Sequence, residues 1–224
     1  MVALLVIATI LAFLAVDLVV QTLQARSRQK KTIPATPVHA DALQWDLHHP
    51  DGVFLSQGHA GASLEPNGSM RVGMDDFARQ MVGAIDTMDL PKVGTKVRAG
   101  EPLVRLYKGA SLANLVAPVD GEVTDVHTGL ALNTAPARRD PYGEGWMVLL
   151  KPESLSRDLS RLTVAEEASS FLGKEVERFR GFLSSYEPAL AQAADGGKPL
   201  PGLAAELGPQ AWDRFRREFL GEKI

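Results

Sequence analysis

Between Leu90 and Val126 the chain runs through one short layout twice. Each half carries a valine-bearing strand, a glycine at a turn and a proline just before a second strand. Two such halves back to back predict a small two-fold β-sandwich with a hairpin at one end. The residue at the hairpin tip then decides the chemistry. A lysine there can carry a covalent cofactor arm, and any other residue cannot.

The 224 residues suffice for one ordinary domain with appendages, at about 150 residues per domain. A 45% hydrophobic and 23% charged composition is that of a globular protein, and a net charge of -3 gives no sign of a nucleic-acid surface. There are no cysteines. A disulfide scaffold, a thiolate metal site and a cysteine nucleophile are therefore excluded.

Met1 to Leu23 is almost entirely apolar, and about 20 such residues cross a hydrocarbon core of about 30 Å as a helix. No basic segment precedes the run and no small-x-small site follows it, so it reads as an uncleaved anchor rather than a signal peptide. Arg26, Arg28, Lys30 and Lys31 follow it and place its carboxyl side in the cytoplasm. The expectation is a single-pass protein of the cell membrane with a cytoplasmic soluble domain. Asp17 is the one ionisable residue in the run, and a carboxylate at the centre of a span costs about 2.5–3.5 kcal/mol. Two explanations stay open: solvation near the inner interface beside Gln21, or pairing with a polar group on another membrane helix.

Residues 25–44 read as a basic juxtamembrane segment and extended linker, with Pro34 and Pro37 and no apolar period. Irregular β structure follows from Trp45 to Gly73, with turns at Pro50-Asp51-Gly52 and Pro66-Asn67-Gly68. His48, His49 and His59 lie in this stretch. Adjacent histidines on a strand point to opposite faces, so they read as solvated or structural, and no metal site is expected. Val72 to Ile85 takes a helical period with Phe77, Met81 and Val82, and Asp75 and Asp76 supply the N-terminal cap and charge. Thr128 to Arg139 reads as a loop, Trp146 to Leu150 as a closing strand ended by Pro152, and Ser154 to Tyr186 as helix. The turn holding Asp140 and Glu144 is expected to tuck Tyr142 and Trp146 onto the sandwich. A last amphipathic helix, Pro209 to Leu220, gathers Trp212, Phe215 and Phe219 on one side. Packing onto the domain is the first reading of this helix, and the three are also candidate contacts to a partner subunit or the membrane surface.

Three blocks now carry a resemblance: VGMDDFARQMVGAIDTMDLPKVGTKVRAGEPL, APVDGEVTDV and DPYGEGWMVLL. In this order, over about Val72 to Leu150, they resemble the H protein of the glycine cleavage system. The resemblance implies a mainly β chain, the barrel-sandwich hybrid of lipoyl and biotinyl domains with a flanking helix, here over residues 45–152. An N-terminal transmembrane helix (1–24) and C-terminal helices (153–224) are added to it. The family's hairpin carries an ESVKA pattern with a lipoylated lysine. Counting forward from Gly100 and back from Pro118 both place that lysine at Ala110, where this chain reads LYKGA. Lys108 lies two residues earlier, a shift of about 6–7 Å along a strand.

No nucleophile elbow, P-loop or dinucleotide fingerprint is present, so an enzyme is not expected, and a carrier for other enzymes at most. The leading expectation is a docking or structural subunit of a membrane-associated complex, a redox one among the candidates, with no cofactor. One alternative is a lipoyl carrier using Lys108 to shuttle aminomethyl or acyl groups. Another is a small-molecule or peptide binding domain using the loop near His59.

Overall fold

The computed structural model describes residues 47–186 and 201–222. The apolar run, Asp17, the basic cluster Arg26, Arg28, Lys30 and Lys31, and the whole linker of residues 25–44 lie outside the described residues. Among the described residues no helix is long and apolar enough to cross a membrane.

Among the described residues, ten strands form two sheets. In chain order they are β1 (Val53–Leu55), β2 (Ala60–Leu64), β3 (Met70–Met74), β4 (Thr87–Asp89), β5 (Lys96–Val97), β6 (Pro102–Lys108), β7 (Ser111–Val116), β8 (Gly121–Val126), β9 (Val148–Pro152) and β10 (Thr163–Val164). The larger sheet runs β10-β1-β2-β3-β9-β8-β5 and the smaller β4-β6-β7. All eight pairings are antiparallel, as expected of a mainly β chain whose strands alternate buried and exposed side chains. In β8, for instance, Val123 is buried between exposed Glu122 and Thr124.

The doubled layout of residues 90–126 is what couples the sheets. The inner strands β6 and β7 pair in the small sheet, while β5 and β8 pair in the large one. The chain crosses between sheets at Gly100 and Ala117, where the Gly100 amide donates to the Ala117 carbonyl (2.8 Å) and the Ala117 amide to the Glu101 carbonyl (2.8 Å). Pro118 follows at once and cannot extend the ladder.

The helices are α1 (Asp76–Val82), α2 (Gly129–Leu132), α3 (Ala135–Arg139), α4 (Leu155–Leu159), α5 (Ala165–Tyr186), α6 (Leu203–Glu206) and α7 (Pro209–Glu218). Several differ from the sequence expectation. The helix placed at 72–85 is shorter, because Val72 to Met74 continue β3 against β2 and β9. Asp75 then turns the chain, its Oδ1 accepting from the Ala78 amide at 2.8 Å. The loop at 128–139 holds two short helices. The closing strand begins at Val148 and takes in Pro152 as its last residue. The continuous helix expected over 154–186 is broken: β-branched Thr163 and Val164 pair with β1, and Ala165, at φ 53°, redirects the backbone into α5. Apolar spacing continued across this break and concealed it.

Helices α5 and α7 build the aromatic half of the core. Phe77, Phe179, Phe215 and Phe219 are fully buried, with Phe179 edge-on to the other three at 5.6–5.9 Å. Trp212, Phe215 and Phe219 thus lie inside this chain's own core, which agrees with packing onto the domain and not with their candidacy as partner or membrane contacts. The amphipathic face of α7 found an intramolecular surface: Ala211, Trp212 and Phe215 are its buried residues, and the Trp212 indole N–H donates to the Leu112 carbonyl of β7 at 2.9 Å.

Candidate functional site

The β6–β7 hairpin closes through two residues, since Lys108 pairs with Ser111. Gly109 supplies the positive φ (55°) that a two-residue turn requires. Its amide donates to Asp86 Oδ2 at 2.6 Å, and the Asp86 amide donates to the Tyr107 carbonyl at 2.8 Å. The turn is thus fixed to the segment leading into β4. Tyr107 donates to Asp89 Oδ2 at 2.7 Å, a bond that raises the phenol's pKa above its ordinary value.

Ala110 is the second turn residue and is exposed; it presents a methyl group. Lys108 is the last residue of β6. Its side chain is 24% exposed, with Nζ 3.6 Å from Glu206 Oε1 on α6. A Cβ on Gly202 would collide with that same Nζ. Gly202 sits at φ 85°, and its amide donates to the Gln80 carbonyl of α1 at 2.7 Å. The hairpin's one lysine therefore rests against the C-terminal segment.

A second cluster escaped the sequence reading. His59, in the β1–β2 turn at φ 59°, is completely buried. Its Nδ1 lies 2.7 Å from Asp75 Oδ2 and its Nε2 3.3 Å from Glu175 Oε2. The ring stacks on Phe77 at 4.3 Å and meets Phe171 at 5.3 Å. Burial opposes a charge on the imidazole, but the two carboxylates outweigh it and raise its pKa to about 9. Glu175 Oε1 accepts from Arg178 Nη1 at 2.8 Å. Arg178 in turn donates to the Glu218 carbonyl and lies 4.1 Å over the Phe219 ring. One polar chain thus runs from the cap of α1 to the end of α7. A signal existed: Glu175 interrupts the apolar stripe of Phe171, Leu172, Val176 and Phe179, where a carboxylate needs a partner.

His48 and His49 do not join this cluster. The His48 amide donates to Asp76 Oδ2 at 2.9 Å, and burial lowers the His49 pKa despite Asp51 and Asp75 nearby. Among the described residues no three His, Cys, Asp or Glu are arranged to hold a metal. In the DPYGEGW segment, Asp140 accepts from the Gly143 and Glu144 amides at 2.9 and 3.0 Å. Tyr142 accepts from the Asp76 amide at 2.8 Å; burial, with Asp75 and Asp76 nearby, pushes its pKa upward. Trp146 stacks on His127 at 4.8 Å. Beside the His59 loop an open cleft of about 920 Å³ is lined by Gln57, Gly58, Arg161, Phe171, Glu175 and Arg178, among others.

The Glycine cleavage H-protein family matches residues 56–175, just over half of the chain. The chain belongs to that family. The probable glycine cleavage system H protein of Pyrococcus abyssi is 33% identical over 122 residues, which are 54% of this chain and 90% of that protein. The glycine cleavage system H protein of Rubrobacter xylanophilus is 34% identical over 119 residues, 49% of this chain and 94% of the relative. A crystal structure of the H protein from Mycobacterium marinum superposes with a TM-score of 0.50 at 27% identity, covering 56% of this chain and 99% of that one. H proteins are carriers that work with other protein subunits and are not themselves enzymes. The H-protein match spans every strand of both sheets except β1, together with the hairpin, α1 and the DPYGEGW segment. It ends within α5, so Val176 onward lies beyond it.

Proposed function

We propose that this H-protein family member works as a docking or structural subunit of a membrane-associated complex, a redox one among the candidates, and carries no lipoyl group. The observation that supports this most directly is Ala110 on the exposed two-residue turn. An amide-linked arm needs an amine at the tip, where a ligase can reach it and the arm can swing between active sites. Ala110 has none. Lys108 is in the strand rather than on the turn, and its ammonium lies against Glu206 and Gly202. These residues do not fit an amide-linked arm. The apolar run at 1–23, with Arg26, Arg28, Lys30 and Lys31 after it, supports an anchor with the soluble part in the cytoplasm; Asp17 is a candidate contact to another membrane helix.

Intact mass of the full chain made in lipoylation-competent cells tests the loss of the arm: the unmodified mass is expected, and a lipoyl-sized adduct mapping to Lys108 restores the carrier reading. Family membership is what favours that second reading. The subunit role is tested by gentle detergent extraction and tagged pull-down. Recovery of the chain alone as a monodisperse monomer contradicts it. Protection of the soluble part from protease in right-side-out spheroplasts is expected, and its digestion overturns the orientation.

A further inference from the structure

The cleft beside the His59 loop lies at the base of the hairpin, where Gly100, Ala117 and Pro118 form part of its wall. The seven residues of β6 run from that base toward the tip, about 20 Å at about 3.3 Å per residue. The cleft is therefore a site apart from the turn of Gly109 and Ala110. Its volume of about 920 Å³ falls within the about 300–1,000 Å³ of small-molecule pockets. Two parts of the chain build it. One side belongs to the matched family domain, and the other is Arg178, Glu218 and Gly221, beyond residue 175 where the match ends. Gly58 lets the two sides meet: a Cβ there would lie 2.4 Å from Val116 Cγ2 and 3.2 Å from the Leu220 carbonyl oxygen.

The acceptors around the cleft are already engaged. Glu175 gives one oxygen to Arg178 Nη1 at 2.8 Å and sets the other 3.3 Å from His59 Nε2. Glu218 Oε1 accepts from Arg214, and Ser56 Oγ accepts from the Ala60 amide at 3.1 Å. The donors are in surplus. Arg161 is exposed, and among the described residues its guanidinium makes no hydrogen bond or ion pair. The Gln57 and Gly58 amides, in the turn that the His59 amide closes on the Ser56 carbonyl at 3.0 Å, make no bond among the described residues either. Arg178 spends Nη1 on Glu175 and Nη2 on the Glu218 carbonyl, which leaves part of its five-donor fork free. These contacts and the Phe219 ring 4.1 Å beneath it fix that guanidinium before anything binds, which lowers the entropic cost of pairing with it.

We infer that this cleft binds a small organic anion, a carboxylate or similar oxyanion taken by Arg161 and Arg178 on an apolar body laid against Val116, Pro118, Leu162 and Phe171. Guanidinium forks match the two oxygens of a carboxylate. A neutral ligand would leave the surplus donors unpaired, and a bare inorganic anion would leave the apolar wall wet. The inference goes beyond the subunit reading and stands whether or not the hairpin is ever modified.

The test uses the full chain, isotope-labelled, in detergent micelles, with naphthoate as the probe and naphthylmethanol as its uncharged counterpart. Amide resonances are followed against the free probe concentration, measured with protein-free micelles as the blank. Naphthoate is expected to shift the Gln57 and Gly58 resonances and to saturate with a Kd of about 1 mM or tighter, the range for a probe of that size. Naphthylmethanol is expected to bind about fivefold more weakly or worse. Arg161→Gln weakens naphthoate by about the same factor and leaves naphthylmethanol unchanged, and Arg161→Lys recovers part of the loss. Ser160→Trp crowds the cleft from an exposed lining position and weakens both probes. Both altered positions are exposed, so the variants are expected to unfold at the parent's temperature. No saturable shift at Gln57 and Gly58 up to about 10 mM naphthoate overturns the inference. Equal affinity for the two probes, or naphthoate binding that Arg161→Gln leaves at the parent's level, overturns it as well.

Discussion

His59 Nδ1 stands 2.7 Å from one oxygen of Asp75, while the other oxygen of the same carboxylate caps α1 at the Ala78 amide, 2.8 Å away. With Glu175 on the far ring nitrogen, the buried imidazole is held as a cation. Its pKa is about 9 in the fold against 6.5 for an ordinary histidine. A raised folded pKa gives stability that is complete below about pH 6.5 and lost as pH climbs through about 9. The difference amounts to about 3 kcal/mol. Urea unfolding from pH 6 to pH 10 is expected to show this decline, and His59→Gln is expected to flatten it. A profile that rises over the same range contradicts the charged assignment.

Asp75→Ala removes the cap and leaves the buried imidazolium one carboxylate short, an expected loss of about 3–5 kcal/mol. Asp75→Asn keeps an acceptor for the Ala78 amide, so its loss is smaller. Equal losses in chemical denaturation would mean that the charge contributes nothing beyond the cap.

Gly83, at φ 75°, faces Gly202 so closely that a Cβ on Gly83 would lie 2.5 Å from the Gly202 Cα and 2.6 Å from its nitrogen. Both are backbone atoms, and neither can swing aside. Gly83→Ala is expected to cost at least about 1–3 kcal/mol from the backbone conformation. It also separates α6 from α1, and faster exchange of the Gly202 amide, now bonded to Gln80, reports that separation.

Phe215→Ala and Phe219→Ala are each expected to lower stability by about 3–5 kcal/mol, the cost of emptying a buried aromatic site. Partner-facing rings would instead leave the isolated chain's stability nearly unchanged, so thermal unfolding separates the two placements.

Ala110→Lys returns an amine to the exposed turn. In lipoylation-competent cells this variant is expected to gain a lipoyl-sized adduct at residue 110 while Lys108 stays unmodified. The intact mass with peptide mapping gives the answer directly, and an unmodified variant would mean that the missing lysine is not all that bars the arm.

What the sequence made legible was whatever depends on local chemistry. The register of the hairpin followed from Gly100 and Pro118, Asp75 was recognisable as a cap, and the DPYGEGW turn read as a turn. The contacts that bind distant segments were not legible. Glu175 reaches His59 across 116 residues and Trp212 reaches Leu112 across 100, and periodicity records only that a face is apolar, not what covers it. The β10 pairing was missed for a related reason: Thr163 and Val164 fit an apolar helical spacing, and only their partners in β1 make them a strand.

The ordered contacts of the C-terminal segment along the hairpin make it a ruler. Gly202 faces Lys108, the Trp212 indole donates to the Leu112 carbonyl and Glu222 Oε1 accepts from the Asn114 amide, successive marks from tip to base. Helix α7 with the four residues after it sets the interval between the last two. Such a segment tolerates exchange of its exposed side chains far better than any change in its length. One residue inserted within α7 would rotate Phe215 and Phe219 off the core and carry Glu222 past Asn114. Spacing, more than residue identity, is therefore what inheritance of this closure has to preserve.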